Sequence, residues 1–234
     1  MQAMKIRNTM NSILSVIYPT FCPSCEERLV GHQDEICDNC LALLPRSNEI
    51  AIDGNIIEDK FANIPNFVRG AAWLRFEHKN EVGNLVHKLK YKTHPWIGYY
   101  LGRAAAREYI PFDFFNTVDV IIPIPLHSER FRQRGYNQAE WIARGIRYET
   151  GIPVDTSHIK RVKDNVQQAK LIGAERQKNV SNIFAVNHPE ELYRKHILLV
   201  DDVITTGATL RSCIQAMIPI RGCRISVFTL AKAQ

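Results

Sequence analysis

The 234-residue chain is 45% hydrophobic and 23% charged, enough apolar material for one generous core, or one core plus a small satellite. Thirty Lys and Arg against 24 Asp and Glu leave a net charge of +6, which favours polyanionic partners without requiring them, because the basic residues are scattered rather than blocked. No apolar stretch approaches the roughly 18 residues of a membrane-spanning helix, so a span is excluded.

The opening MQAMKIRNTMNSILSVIYPTF puts two positive charges ahead of a short apolar run, as secretory signals do. Pro19 breaks that run and no small-residue cleavage pattern precedes Cys22, so the segment reads as a short amphipathic helix and the protein is expected to be cytoplasmic. Four of the six cysteines then fall in CPSCEERLVGHQDEICDNC, as Cys22-x2-Cys25 and Cys37-x2-Cys40. In a reducing compartment such paired knuckles chelate zinc rather than form disulfides. Four thiolates suit tetrahedral Zn(II) and leave no open position, which makes the site structural. So short a segment buries too little surface to fold alone, and the metal would supply the folding energy. A small N-terminal zinc-ribbon module over residues 1–45 is expected. His32 would serve as a ligand only if a cysteine were displaced, and Cys213 and Cys223 read as inert.

Residues 46–66 carry no pattern and read as a linker. GAAWLRFEH alternates as a strand with Trp73 and Phe76 as its bulky residues. From Asn80 to Lys90, Val82, Leu85, Val86 and Leu89 recur at helical spacing, and the basic end of that helix carries Lys88, Lys90 and Lys92. A second helix is expected after Pro95, through WIGYYLGRAAAREY. VDVIIPIP, bounded by prolines, has the near-continuous apolar character of a strand covered on both faces. NQAEWIARGIRYE places Ala139, Ile142, Ala143 and Ile146 on one helical face. Strands around 158–162, 182–186, 197–201 and 225–230, with a helix over 208–217, complete an alternation that argues for an α/β fold, a parallel sheet flanked by helices. Ligands bind beyond the carboxyl ends of such strands.

ILLVDDVITTGATL, residues 197–210, lies at one of those ends. Its aliphatic strand finishes on Asp201 and Asp202, and Thr205, Thr206, Gly207, Ala208 and Thr209 turn the chain into a helix. Unpaired amides at a helix N-terminus form an anion site, and Gly207 lets the backbone approach closely. Acids repel an anion, yet a 5-phosphoribosyl group satisfies both halves: its vicinal diol donates to the carboxylates while its phosphate sits on the turn. Two simpler roles fit the same residues, an aspartate pair binding only Mg(II), or a helix cap without a ligand. The Walker spacing and its lysine are missing.

The same stretch resembles the phosphoribosyl pyrophosphate motif of the type I phosphoribosyltransferases. IIPIPLHSERFRQRGYNQA, the cysteine knuckles and LKYK at 89–92 are similar to one branch of that superfamily, the ComF family of competence proteins. The resemblance implies a type I phosphoribosyltransferase-like domain over 116–234, with residues 67–115 as a hood extension, since the last strand ends close to Gln234. It implies that Asp201 and Asp202 bind the ribose diol and Thr205–Thr209 the 5-phosphate. The turn at Pro125, Leu126 and His127 lies where related enzymes hold pyrophosphate, and Arg130 and Arg134 follow to neutralise it, with Mg(II) bridging its oxygens. Arginines at alternate positions are also common on solvated loops. Asn137 reads as an N-cap. KDNVQQAKLIGAERQKN falls where related enzymes have a mobile loop, with Lys163, Gln167, Gln168 and Arg176 as candidates.

Functionally the ComF resemblance implies a phosphoribosyl-binding protein of natural transformation that handles incoming single-stranded DNA on the cytoplasmic side, with DNA-uptake channel or helicase proteins as partners. Lys88, Lys90, Lys92 and Arg132 are the candidates for DNA contact. The alternative is an active phosphoribosyltransferase of nucleotide salvage. No dedicated nucleophile is visible, and pyrophosphate displacement through an oxocarbenium-like state needs none.

Overall fold

A computed structural model of the chain describes residues 20–29, 36–77, 81–91, 94–162 and 183–233. The chain divides into two compact units, Met1–Leu44 and Pro45–Gln234. In the first, an antiparallel bridge between Phe21 and Arg28 closes a tight turn that carries Cys22 and Cys25. Helix α1 (Asp38–Leu43) opens at Cys37, whose thiol accepts the Cys40 amide. One knuckle therefore sits on a hairpin turn and the other on the first turn of a helix. The helix expected ahead of Cys22, and His32, lie outside the described residues.

The described residues of the second unit form six strands: β1 (Phe67–Phe76), β2 (Val120–Pro123), β3 (Ile159–Arg161), β4 (Phe184–Val186), β5 (His196–Ile204) and β6 (Arg224–Ala233). Four of them form the central sheet in the order β1-β6-β5-β2, with every neighbouring pair parallel. Ile197, Leu198, Leu199 and Val200 of β5 are all fully buried, as a strand covered on both faces requires. The strand expected in a separate hood extension at 67–115 is instead β1, a member of this sheet. Ala71, Ala72, Trp73 and Leu74 are all buried, so neither of its faces is free to head another layer. β3 and β4 also depart from expectation. They pair antiparallel with each other as a two-stranded ribbon and add nothing to the central sheet.

Among the described residues, six α-helices complete this unit: α2 (Ile56–Phe61), α3 (Glu81–Tyr91), α4 (Pro95–Tyr109), α5 (Ser128–Arg134), α6 (Gln138–Thr150) and α7 (Ala208–Met217). No helix among the described residues is long and apolar enough to cross a membrane. Residues 46–66, expected to be a linker, are folded. Asn55 caps α2 by accepting the Ile57 and Glu58 amides at 2.9 and 3.1 Å, and its amide donates to the Gly70 carbonyl at 2.9 Å. Ile57 and Phe61, four apart on one face, are fully buried beside Leu210, Cys213, Ile214 and Met217 of α7. Each such burial is worth about 1.5–3 kcal/mol, enough to hold a helix of six residues that propensity alone would not.

Helices α4 and α6 pack closely on each other because glycines meet at the crossing. A Cβ on Gly102 would lie 2.3 Å from the Ile142 carbonyl oxygen, and one on Gly145 would lie 2.1 Å from that of Tyr99. Backbone cannot yield as a flexible side chain can. Gly145→Ala is therefore expected to destabilise the fold by about 1–3 kcal/mol, read as a lower urea midpoint. An unchanged midpoint would mean that the two helices part without cost.

Candidate functional site

The sequence ILLVDDVITTGATL forms the junction between β5 and α7. Pairing of β5 with β6 does not stop at the acids, as expected from the sequence, but runs through Asp201↔Thr229 to Ile204↔Lys232. Each acid is fastened to the next residue: Asp201 Oδ1 accepts the Asp202 amide at 2.9 Å, and Asp202 Oδ1 accepts the Val203 amide at 2.6 Å. Beyond Ile204 the chain bends through Thr205 and Thr206, both exposed, into Gly207, which takes the left-handed conformation at φ +80° as the N-cap of α7. Among the described residues the amides of Thr206 and Gly207 have no acceptor, while the Ala208 amide donates to Thr206 Oγ1 at 3.3 Å. Gly207 rests against Phe61 and Lys60 of α2. Arg211 of α7 donates to Asn63 Oδ1 at 3.1 Å and to the Lys60 carbonyl, so the segment expected to be a linker braces this turn from behind.

The two acids differ. Asp201 lies deeper, its charge felt by the buried Cys213 thiol of α7. Burial, reinforced by the Asp202 charge, pushes the Asp201 carboxyl up to about 7, against the pull of Lys90 and Arg161. Asp202 is tied outward, its Oδ2 lying 2.9 Å from the Lys90 ammonium of α3. Lys90, expected among the DNA contacts, lies at this acid pair. Its helix is held by the block after β2: the Tyr136 hydroxyl donates to the Leu89 carbonyl, and the Arg134 guanidinium lies 5.4 Å from the Tyr91 ring centroid.

Parallel pairing sets Pro123 of β2 opposite Val200 of β5, which brings the PIPLH turn level with the acid pair at the same edge of the sheet. Asn137 fixes that turn. It donates to the Ile124 carbonyl at 3.0 Å and accepts the Ala139 amide at 3.2 Å, so it is the N-cap of α6 and a clamp on the turn at once. A cavity of about 550 Å³ adjoins that turn, lined by Pro125, Leu126, Arg132, Glu140, Lys160 and Arg161 among others. The three expected arginines are helical, which separates them: Arg130 and Arg134 share one face of α5, and Arg132 takes the other. Arg132 reaches the cavity, whereas Arg134 is engaged by Gln138 Oε1 at 2.8 Å and by Tyr91. His127 precedes α5, and Lys88 lies on α3. Lys92, Lys163, Gln167, Gln168 and Arg176 fall outside the described residues.

In the N-terminal unit the sulfurs of Cys22, Cys25, Cys37 and Cys40 lie within 4.8 Å of one another, with Cys25 and Cys37 3.8 Å apart. A tetrahedron with Zn–S bonds of about 2.3 Å has edges of about 3.8 Å, so the four donors fit zinc. Burial raises the Cys22 thiol, but amide donors from Cys25, Cys37 and Ser24 outweigh it and bring it down to about 7. Burial and the three neighbouring sulfurs push Cys40 up to about 12. Four sulfurs this close cannot all ionise unaided, and a dication removes that conflict. Cys213 and Cys223 are buried and both thiols are raised by burial, which leaves them unreactive.

The phosphoribosyl transferase domain family matches residues 92–234, more than half of the chain. Competence protein F of Haemophilus influenzae is 30% identical over 218 residues, covering 91% of this chain and 85% of that protein. The chain belongs to this family, in its ComF branch. The DNA utilization protein YhgH of Salmonella typhimurium is 28% identical over 151 residues, with 63% of this chain and 66% of that protein covered. Competence protein ComFC of Bacillus subtilis is 30% identical over 115 residues, covering 49% and 45%.

Sequence reasoning missed two contributors to this candidate ComF site and did not connect a third with it. The bracing helix α2 had a legible signal, Asn55 as a cap ahead of Ile57 and Phe61 at helical spacing. Lys160 and Arg161 had none, since only the ribbon brings them to the cavity. Lys90 was noticed but assigned to another surface.

Two outcomes check these assignments. Purified protein is expected to hold about one zinc per chain. Cys37→Ser should remove at least half of it and open residues 36–44 to proteolysis, read by metal analysis and limited digestion. Full zinc content in that variant would rule out the four-sulfur site. Because the Asp201 carboxyl is raised in the fold, its stabilising contribution is complete below the unfolded carboxylate range and is lost as pH rises to about 7. Asp201→Asn is therefore expected to gain on wild type in melting temperature between pH 4 and 7 and to hold that lead, level, above pH 7. Parallel melting curves across that range would exclude a raised Asp201.

Proposed function

We propose that the chain binds a phosphoribosyl ligand, phosphoribosyl pyrophosphate or a related 5-phosphate, and serves DNA uptake by handling incoming single-stranded DNA on the cytoplasmic side. The observation that carries the first half is the junction of β5 and α7. Two carboxylates, groups that can accept hydrogen bonds from a diol, are followed within three residues by a glycine-capped turn with amides that have no acceptor among the described residues. Phosphate on that turn meets amide donors and the positive end of a ten-residue helix. The pyrophosphate end would enter the cavity beyond β2, where Arg132, Lys160 and Arg161 supply positive charge and Mg(II) would arrive on the pyrophosphate oxygens.

The second half is supported by the relatives named competence protein F and DNA utilization protein. Channel or helicase proteins are the partners such work implies. An active phosphoribosyltransferase is the second reading, supported by the match of the phosphoribosyl transferase domain family to residues 92–234. Its chemistry would be pyrophosphate displacement with the protein positioning the groups and stabilising charge. Pyrophosphate release in the presence of a panel of nucleobases separates the two readings.

Calorimetric titration tests the ligand. Phosphoribosyl pyrophosphate with Mg(II) is expected to bind wild type and to lose roughly tenfold or more in affinity to Asp201→Ala with Asp202→Ala. 2-Deoxyribose 5-phosphate, lacking one hydroxyl, should bind roughly tenfold more weakly than ribose 5-phosphate. Equal affinity for the two sugars would refute diol recognition. Single-stranded DNA binding should fall steeply with salt. Salt-insensitive or absent DNA binding would refute the DNA-handling half alone.

A further inference from the structure

Lys90 lies on an oxygen that the phosphoribosyl reading needs. Its ammonium is 2.9 Å from Asp202 Oδ2, and the two side chains are only 24% and 14% exposed. Position here is not left to chance. The residue before Lys90 is held by the Tyr136 hydroxyl on the Leu89 carbonyl. The residue after it, Tyr91, lies under the Arg134 guanidinium, which is itself anchored on Gln138. Gln138 is 1% exposed, at the first turn of α6. Two separate stretches of sequence, LKYK and RFRQRGYNQ, therefore meet, and what they aim at the acid pair is one cation.

A carboxylate next to a phosphate turn raises the energy of every anion that approaches it. A divalent cation relieves that repulsion in one way, and a fixed ammonium relieves it in another. We propose that Lys90 is the built-in countercharge of Asp202, so that the site accepts the sugar 5-phosphate half of its ligand without a divalent cation. The inference rests on the phosphoribosyl reading and deepens it: the ligand class is a 5-phosphorylated sugar with a vicinal diol, and metal is required only for the pyrophosphate that some members of that class carry. The Lys90 charge also reaches Asp201, where it opposes the upward push of burial. Arg161 acts on Asp201 in the same sense from the β3 side. Asp201 therefore feels one cation from α3 and one from β3.

The test is titration of ribose 5-phosphate, in EDTA and in saturating Mg(II), into wild type, Lys90→Met, Lys90→Arg, Asp202→Asn and the Lys90→Met with Asp202→Asn double variant. Wild type is expected to bind equally in EDTA and Mg(II). Lys90→Met should lose on the order of tenfold in EDTA, the effect of one partly screened unit charge, and recover part of it in Mg(II). Lys90→Arg should keep the affinity. Losses from Lys90→Met and Asp202→Asn should be less than additive, because the double variant removes both charges of the pair. A merely structural lysine would lower the melting temperature without this charge dependence. Where the methionine variant is unstable, Lys90→Gln replaces it. Wild type that binds only with Mg(II), or a Lys90→Met variant that binds as wild type in EDTA, overturns the inference alone. Wild type that binds ribose 5-phosphate under neither condition overturns the phosphoribosyl reading, and the inference with it.

Discussion

The parallel pairing of β5 with both of its neighbours is the constraint on which the site depends. On one side, the register Pro123↔Val200 carries the turn after β2 to the same height as the acid pair. On the other, pairing with β6 persists to Ile204, which fixes where the chain leaves the sheet and where the amides of the following turn are presented. A shift of one residue in either ladder would turn the side chains of β5 over and separate acids, turn and cavity. The full burial of Ile197 to Val200 makes such a slip costly. Chemistry at the edge is thus held in register by apolar side chains that touch no ligand.

Charge at that edge is assembled from separate elements rather than from one motif. Asp201 and Asp202 come from β5, Lys90 from α3, Arg161 and Lys160 from β3, and Arg132 from α5. No short window of sequence contains the balance, and each cation can be aimed independently. α2 has a comparable role from behind: it carries no ligand group, but Phe61 and the Lys60 carbonyl set the position of Gly207 and Arg211.

What could be read from the sequence follows from this division. The aliphatic strand, the acid pair, the turn and the helix over 208–217 are contiguous, so local pattern was enough, and the cysteine spacing was sufficient for the same reason. Strand β1 was recognised but misplaced, because its hydrogen-bonding partner, the parallel strand β6, lies more than 140 residues away in sequence. β3 and β4 were recognised and put in the wrong sheet: a three-residue strand contains too little alternation to say which edge it joins. The arginines of α5 read as loop residues because a seven-residue helix lacks a full apolar stripe. Lys90 was legible as a basic residue at the end of an amphipathic helix, but its partner is 112 positions away and only the fold supplies it.

The acid pair also limits what the ligand can be. A vicinal diol is the feature of a ribose 5-phosphate that DNA lacks, since deoxyribose has no 2-hydroxyl. A phosphate turn alone would accept the 5-phosphate of either. Under the proposed function, retention of both Asp201 and Asp202 beside that turn therefore separates the two chemistries. On that reading the β5–α7 junction would select a ribosyl compound, and DNA would be gripped elsewhere, by groups that ask only for phosphate charge and stacked bases. Lys90, paired with Asp202 at 2.9 Å, would then answer the charge of the acid pair, while the nucleic acid would be held by cations that have no carboxylate to balance.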